Sequence, residues 1–114
     1  MKKLNDIGIE CGTDKCNSGH KFKDQTYLDI YHEYFKLFRE ESFNFLEIGV
    51  RDGASMRMWS EYFPNANIIG VDINSNCKEI EKERDNISVE IGSQEDEAFL
   101  NDLIKKYGNF KVVL

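Results

Sequence analysis

Four short runs rich in Ile, Val, Leu and Phe divide the chain from residue 43 onward: "FNFLEI", "NIIGVDI", "ISVEI" and "FKVVL". Between them lie three stretches with helical character, 54–62, 75–84 and 93–107. Strand and helix therefore alternate as β-α-β-α-β-α-β. Parallel neighbours cannot be joined by a tight hairpin, so this alternation predicts a parallel sheet with helical crossovers. Right-handed crossovers and one reversal of direction give the strand order 3-2-1-4, half of a doubly wound, Rossmann-like α/β fold.

The punctuation agrees with this frame. Pro64 follows the first helical stretch, and Asn74 or Ser75 can cap the second. Ser93 with Asp96 makes a capping-box-like start to the third, and Gly108 stands where a left-handed C′ residue belongs. The fourth run has no helix after it, although parallel sheets normally have both faces covered. Two readings stay open for this: a fragment truncated after the fourth strand, or an intact domain whose edge a homo-oligomer partner protects.

Upstream, residues 1–23 hold Gly8, Gly12 and Gly19 without a clear period and read as irregular, with at most one helical turn. Residues 24–41 differ. Tyr27, Leu28, Tyr31, Tyr34, Phe35 and Phe38 recur at steps of three and four, the mark of an amphipathic helix, with Asp24 available as its N-cap. The expected organisation is thus an amino-terminal lid or helical segment, 1–42, and a partial Rossmann-like domain, 43–114.

The chain of 114 residues has room for one core. Its net charge of −6 argues against nonspecific attraction to nucleic acid or to an anionic membrane, because both are polyanions. No apolar stretch approaches the roughly 20 residues that span a bilayer. "MKKLNDIGIE" lacks the apolar region of a secretory signal. Cys11, Cys16 and Cys77 are an odd set and read as reduced thiols. Together these predict a cytoplasmic protein whose partner is a small molecule, with no nucleic-acid or membrane partner.

In a doubly wound fold the ligand binds beyond the carboxyl ends of the strands, at the switch point. "EIGVRDGAS" falls there. Gly49 permits a tight turn with backbone close to a ligand, and Gly53 lets the next helix start tightly against the strand. A dinucleotide fingerprint wants G-x-G-x-x-G, whereas here Arg51 takes the middle place in E-x-G-x-x-x-G. Glu47 would repel a pyrophosphate and suits a ligand with an ammonium or sulfonium group. Asp72, ending the second run, is placed to accept from ribose hydroxyls. After the third run, Ser93 and Gln94 are candidates for the adenine edge, although Ser93 serves equally well as a helix cap. These charges favour S-adenosylmethionine over NAD.

"LEIGVRDGAS", "IIGVDIN" and "VEIGSQED", in that order, resemble the motifs of class I S-adenosylmethionine-dependent methyltransferases. More narrowly, "GTDK" at 12–15, His20, the Tyr-rich helix and "LEIG…GAS…MW…YFPNA…I.GVDI" resemble the amino-terminal half of the sugar O-methyltransferases of macrolide antibiotic biosynthesis. The resemblance implies that Glu47 and Gly49 face the methionine part, Asp72 the ribose, and Ser93 and Gln94 the adenine. Arg51 replaces a glycine found in many class I enzymes, and Ser93 stands where relatives often have Asp. In that family the strand matching "KVVL" leads into an acidic turn that supplies metal ligands and catalytic groups. The resemblance therefore implies O-methylation of a sugar or other small hydroxylated substrate, assisted by magnesium in the full-length protein, with catalytic residues beyond Leu114 and this chain inactive alone. Asp14, Lys15 and His20 are candidate lid or substrate residues.

Three further readings complete the expectations. Cys11, Cys16 and His20 invite a zinc site but offer three ligands where a structural site has four, so no metal site is expected. His32 reads as a surface or helix-packing residue, and Trp59 as packing beneath the amino-terminal helix. The alternatives to a methyltransferase are a noncatalytic nucleotide- or cofactor-binding module and a fragment of an NAD-dependent oxidoreductase.

Overall fold

The computed structural model describes residues 2–12, 21, 22 and 25–114. Its elements are α1 (Leu4–Cys11), β1 (Lys21–Phe22), β2 (Gln25–Thr26), α2 (Tyr27–Phe35) with a 3₁₀ turn at Lys36–Phe38, β3 (Asn44–Ile48), α3 (Ala54–Tyr62), β4 (Asn67–Asp72), a 3₁₀ segment (Ser75–Lys82), β5 (Ile87–Ile91), α4 (Glu97–Tyr107) and β6 (Val112–Val113). The four main strands pair in parallel in the order β5-β4-β3-β6, which is the expected 3-2-1-4. β1 and β2 form a separate antiparallel pair. No helix among the described residues is long and apolar enough to cross a membrane.

Alternation along the strands divides the core between two faces. Phe45, Ile68, Ile87 and Val89 join the helices on one side, with Leu4 and Ile7 of α1, Leu28 of α2, and Met56, Met58, Trp59 and Tyr62 of α3. Leu46, Ile69 and Val71 face the other side and meet Leu103 of α4. Aromatic rings dominate the first face. Trp59 is fully buried and lies 4.9 Å from Phe45, 5.8 Å from Phe35 and 6.2 Å from Tyr31, so it packs beneath α2 as expected.

Several elements depart from the sequence reading. The first segment contains an eight-residue helix, α1, where an irregular chain was expected. Leu4, Ile7 and Gly8 bury its inner side, and Gly12 closes it at φ 78°, a left-handed conformation that glycine adopts without strain. The helix expected over 24–41 is shorter and tightens into a 3₁₀ turn; its expected cap, Asp24, lies outside the described residues.

The second crossover is a 3₁₀ segment throughout, and its sequence explains why. At three residues per turn, positions i and i+3 eclipse. Cys77 and Ile80 thus share the buried side, Lys78 and Glu81 a second side, and Glu79 and Lys82 a third, with ion pairs of 3.1 Å and 3.0 Å within the last two. Lys78 and Glu81 also reach the outer edge of β5. Lys78 Nζ donates to the Val89 carbonyl at 2.6 Å, and Glu81 Oε2 accepts from the Val89 N–H at 3.0 Å.

α4 starts at Glu97, later than the capping box predicted. Asp96 takes the cap, its Oδ1 accepting from Phe99 N at 3.2 Å, while Ser93 Oγ accepts from Glu95 N at 3.1 Å. Residues 93–96 therefore remain a loop. At the other end Gly108 has the positive φ expected of it, 84°, but ψ is extended at −151°, so it is not an α-left residue.

Candidate functional site

The carboxyl ends of β3, β4 and β5 surround a cleft of about 350 Å³, lined from β3 by Ile48 and Gly49, from β4 by Val71, Asp72 and Ile73, and from β5 onward by residues 92–95. Backbone hydrogen bonds build its floor: Gly49 N donates to Val71 O at 2.7 Å and Gly92 N to Asp72 O at 3.0 Å. Four of the six residues expected to bind cofactor, Gly49, Asp72, Ser93 and Gln94, line this one space. Among the described residues its lining holds two carboxylates, from Asp72 and Glu95, and no basic side chain.

Glu47 and Gly53 stand behind the cleft. Glu47 is 4% exposed, and its Oε2 accepts from Trp59 Nε1 at 3.0 Å, so the buried carboxylate is directed toward α3. Gly53 forms the N-cap of α3 at φ 85°. A Cβ there would stand 2.8 Å from the Ile80 side chain, which fixes how closely the 3₁₀ segment approaches the turn.

The turn itself alternates in handedness. Gly49, Arg51 and Gly53 have φ of 90°, 55° and 85°, and Arg51 is the only residue with a side chain at positive φ among those described. The Arg51 backbone is left-handed, a region that disfavours L side chains. Asp72 holds the turn from below: Oδ2 accepts from Val50 N at 2.9 Å and Arg51 N at 3.2 Å, and Oδ1 accepts from Asn74 N at 2.9 Å. The hydrogen bond from Asn74, with those from Arg51 and Val50, lowers the Asp72 pKa below its ordinary value despite an opposing effect of burial. Cys77 Sγ lies 3.4 Å from the Arg51 carbonyl and donates to it, and desolvation raises the thiol pKa.

Glycines shape the rest. A Cβ on Gly70 would lie 2.6 Å from Val50 Cγ2 and 2.8 Å from Met56 Cε, and one on Gly92 would lie 2.5 Å from the Phe99 ring. Both positions were missing from the sequence reading. Gly70 carried a legible signal, a glycine inside an otherwise apolar strand, which marks a close approach. Ile73 was missed as well; it is 76% exposed and forms an apolar wall beside Asp72.

The remaining expectations resolve as follows. Asp14, Lys15, Cys16 and His20 lie outside the described residues. Cys11 and Cys77 are free thiols. Among the described residues no three His, Cys, Asp or Glu side chains cluster closely enough to hold a metal. His32 is half-buried in the helical layer, its Nδ1 2.9 Å from Tyr62 Oη.

No family model matches the chain. The demethylmacrocin O-methyltransferase of Streptomyces fradiae is 30% identical over 118 aligned positions, which take in 97% of this chain and 28% of the relative. The mycinamicin VI 2″-O-methyltransferase of Micromonospora griseorubida is 33% identical over 93 positions, 74% of this chain and 22% of the relative. Among solved structures, the MycE methyltransferase of the mycinamycin biosynthetic pathway, in complex with Mg and SAH, superposes with a TM-score of 0.78 at 27% identity, over 98% of this chain and 27% of that one. The chain thus spans about a quarter of the length of the curated relatives it matches.

Proposed function

We propose, for a chain whose homologues are the sugar O-methyltransferases of macrolide biosynthesis, that the strand-end cleft binds S-adenosylmethionine and that the protein methylates a hydroxyl of a sugar or other small substrate. The observation that carries this reading is the convergence of Gly49, Asp72, Ser93 and Gln94 on one cleft from three successive strand ends.

The residues fit an adenosine ligand part by part. A Cβ on Gly49 would meet nothing within 4 Å, so the glycine leaves open the space a ligand's ribose and methionine part would occupy. Asp72 has acceptor capacity left after its three backbone hydrogen bonds, because a carboxylate offers about four acceptor sites. It takes the ribose hydroxyls. Ile73 covers one face of the adenine, and the loop of Ser93 and Gln94 meets its edge. Glu47, held by Trp59, stands behind the turn rather than in the cleft lining. The carboxylates of Asp72 and Glu95 among the described lining residues favour a sulfonium ligand and oppose a pyrophosphate.

When bound, the cofactor supplies an electrophilic methyl that an acceptor hydroxyl takes from sulfur; this chain's part is to bind and orient it. The described residues provide no cluster suited to magnesium, so no step is assigned to that ion.

Calorimetric titration with S-adenosylmethionine, S-adenosylhomocysteine and NADH tests the proposal. Saturable binding of the first two and none of NADH is the expected result. Binding of NADH alone would replace the reading with a nucleotide-dependent oxidoreductase, and a folded chain that binds none of the three would overturn it.

A further inference from the structure

We infer that Asp72 is a positioning residue for the glycine turn: its carboxylate holds the Val50 and Arg51 amides, and with them the left-handed backbone of Arg51, in the shape that borders the cleft, independently of any contact it makes with a ligand. The inference rests on the cofactor reading above for its consequence in binding, but its structural content concerns the unliganded chain.

The turn places a side-chain-bearing residue, Arg51, at φ 55°, between two glycines that adopt such values freely. Something must hold it there. Oδ2 of Asp72 accepts from Val50 N and Arg51 N, and these charge-assisted bonds tie two successive amides to the end of the neighbouring strand. The second oxygen accepts from Asn74 N, where the 3₁₀ segment begins. That segment returns to the same turn twice, through Cys77 Sγ on the Arg51 carbonyl and through Ile80 against Gly53. One carboxylate thus links the turn, the end of β4 and the following crossover. The same side chain lines the cleft, so the geometry that receives a ligand depends on the bonds that form the turn.

Two measurements on the 114-residue chain separate positioning from ligand contact. The first is amide hydrogen exchange in the unliganded wild type, Asp72→Leu and Asp72→Ala, with thermal unfolding to establish that each variant folds. Faster exchange at Val50 and Arg51 in Asp72→Ala, with β3 unchanged, is expected; wild-type exchange there would overturn the inference. Should Asp72→Ala fail to fold, Asp72→Leu decides in the same way, because it keeps the branched shape and carries no acceptor for Val50 N or Arg51 N.

The second is titration with S-adenosylhomocysteine and with its 2′,3′-dideoxyribose analogue. A residue that only accepts from the ribose has nothing to lose with the dideoxy ligand, so wild type and Asp72→Ala would then bind it equally, which overturns the inference. Positioning predicts that Asp72→Ala binds even the dideoxy ligand about tenfold more weakly. If wild type binds neither ligand, the cofactor reading fails, and the exchange rates alone still support or overturn the positioning role.

Discussion

At the amino ends of the strands, Asn86 donates its side-chain amide to three backbone carbonyls, those of Ser60, Phe63 and Ala66, at 3.2, 3.3 and 3.2 Å. At the carboxyl ends, Asp72 accepts from three backbone N–H groups. The two side chains are mirror devices. Each gathers loose backbone groups where helix, loop and strand meet, a need that follows from the cost of leaving such groups unpaired. They differ in charge and in what they leave open. The neutral amide, joined by Ser60 Oγ and by Arg39 on the Tyr62 carbonyl, closes a corner packed with aromatic rings. The carboxylate holds its turn beside a cleft. One end of the sheet spends polar groups on stability alone, and the other spends them on a shape that a ligand can enter.

Breaking the closed end should cost most. Asn86→Ala removes a donor from the carbonyls of Ser60, Phe63 and Ala66, of which Phe63 keeps the Ala66 N–H, and is expected to lower unfolding stability by about 2 kcal/mol, seen in urea denaturation as a lower midpoint with unchanged slope. Affinity for S-adenosylhomocysteine, measured well below the melting temperature, should stay within about twofold of wild type, since additive behaviour is expected of distant sites. A large affinity loss would mean that the two ends are coupled.

Gly70→Ala strikes the boundary between them. The new methyl meets Val50 Cγ2 at 2.6 Å, and the stiff, β-branched Val50 belongs to the turn. Overpacking of this kind costs about 1.5 kcal/mol, and here affinity should fall together with stability.

Arg51→Gly tests the open end with the opposite sign. Removing the side chain from a left-handed residue relieves about 1–2 kcal/mol of strain, offset by about 0.5–1 kcal/mol of extra chain entropy in the unfolded state. A gain of roughly 0.5 kcal/mol in chemical denaturation is expected; a loss would show that the Arg51 side chain contributes contacts of its own.

Acid separates the ends most gently. Burial, with Arg39, Lys36 and Lys3, pushes the His32 pKa below its ordinary 6.5 against the pull of Glu33. The unfolded chain then takes up this proton first, so the stability due to neutral His32 is present above pH 6.5 and is lost as pH falls through the lower folded value. Asp72 is depressed from an ordinary 3.8, so its contribution is present above pH 3.8 and is lost only below it. Between pH 7 and 5 the melting temperature should fall slightly, and less so in His32→Gln, while the folded chain keeps its affinity for S-adenosylhomocysteine.

The alternation of apolar runs revealed the strand order, because crossover handedness leaves few arrangements. α3 runs from Ala54 to Tyr62 as read, since Gly53 and Pro64 bracket it. α1 was legible only in hindsight: Leu4, Ile7 and Cys11 recur at helical spacing before Gly12, but Gly8 in their midst weakens any local preference. At the site, Gly49, Asp72, Ser93 and Gln94 could be found because strand ends converge by topology. The hold of Asp72 on the turn could not, since it joins residues 22 and 21 positions apart through geometry that no local pattern encodes. Ser93 and Asp96 are both competent caps, and only the folded loop shows which one starts the helix.

The side chains on the outer border of β5 bear on how copies of this chain meet. A strand from a neighbouring molecule approaching that border finds the Val89 amide and carbonyl already taken by Glu81 and Lys78. Annealing there would first have to evict a paired anion and cation and rehydrate both. The sheet is therefore gated against lateral recruitment on its β5 flank.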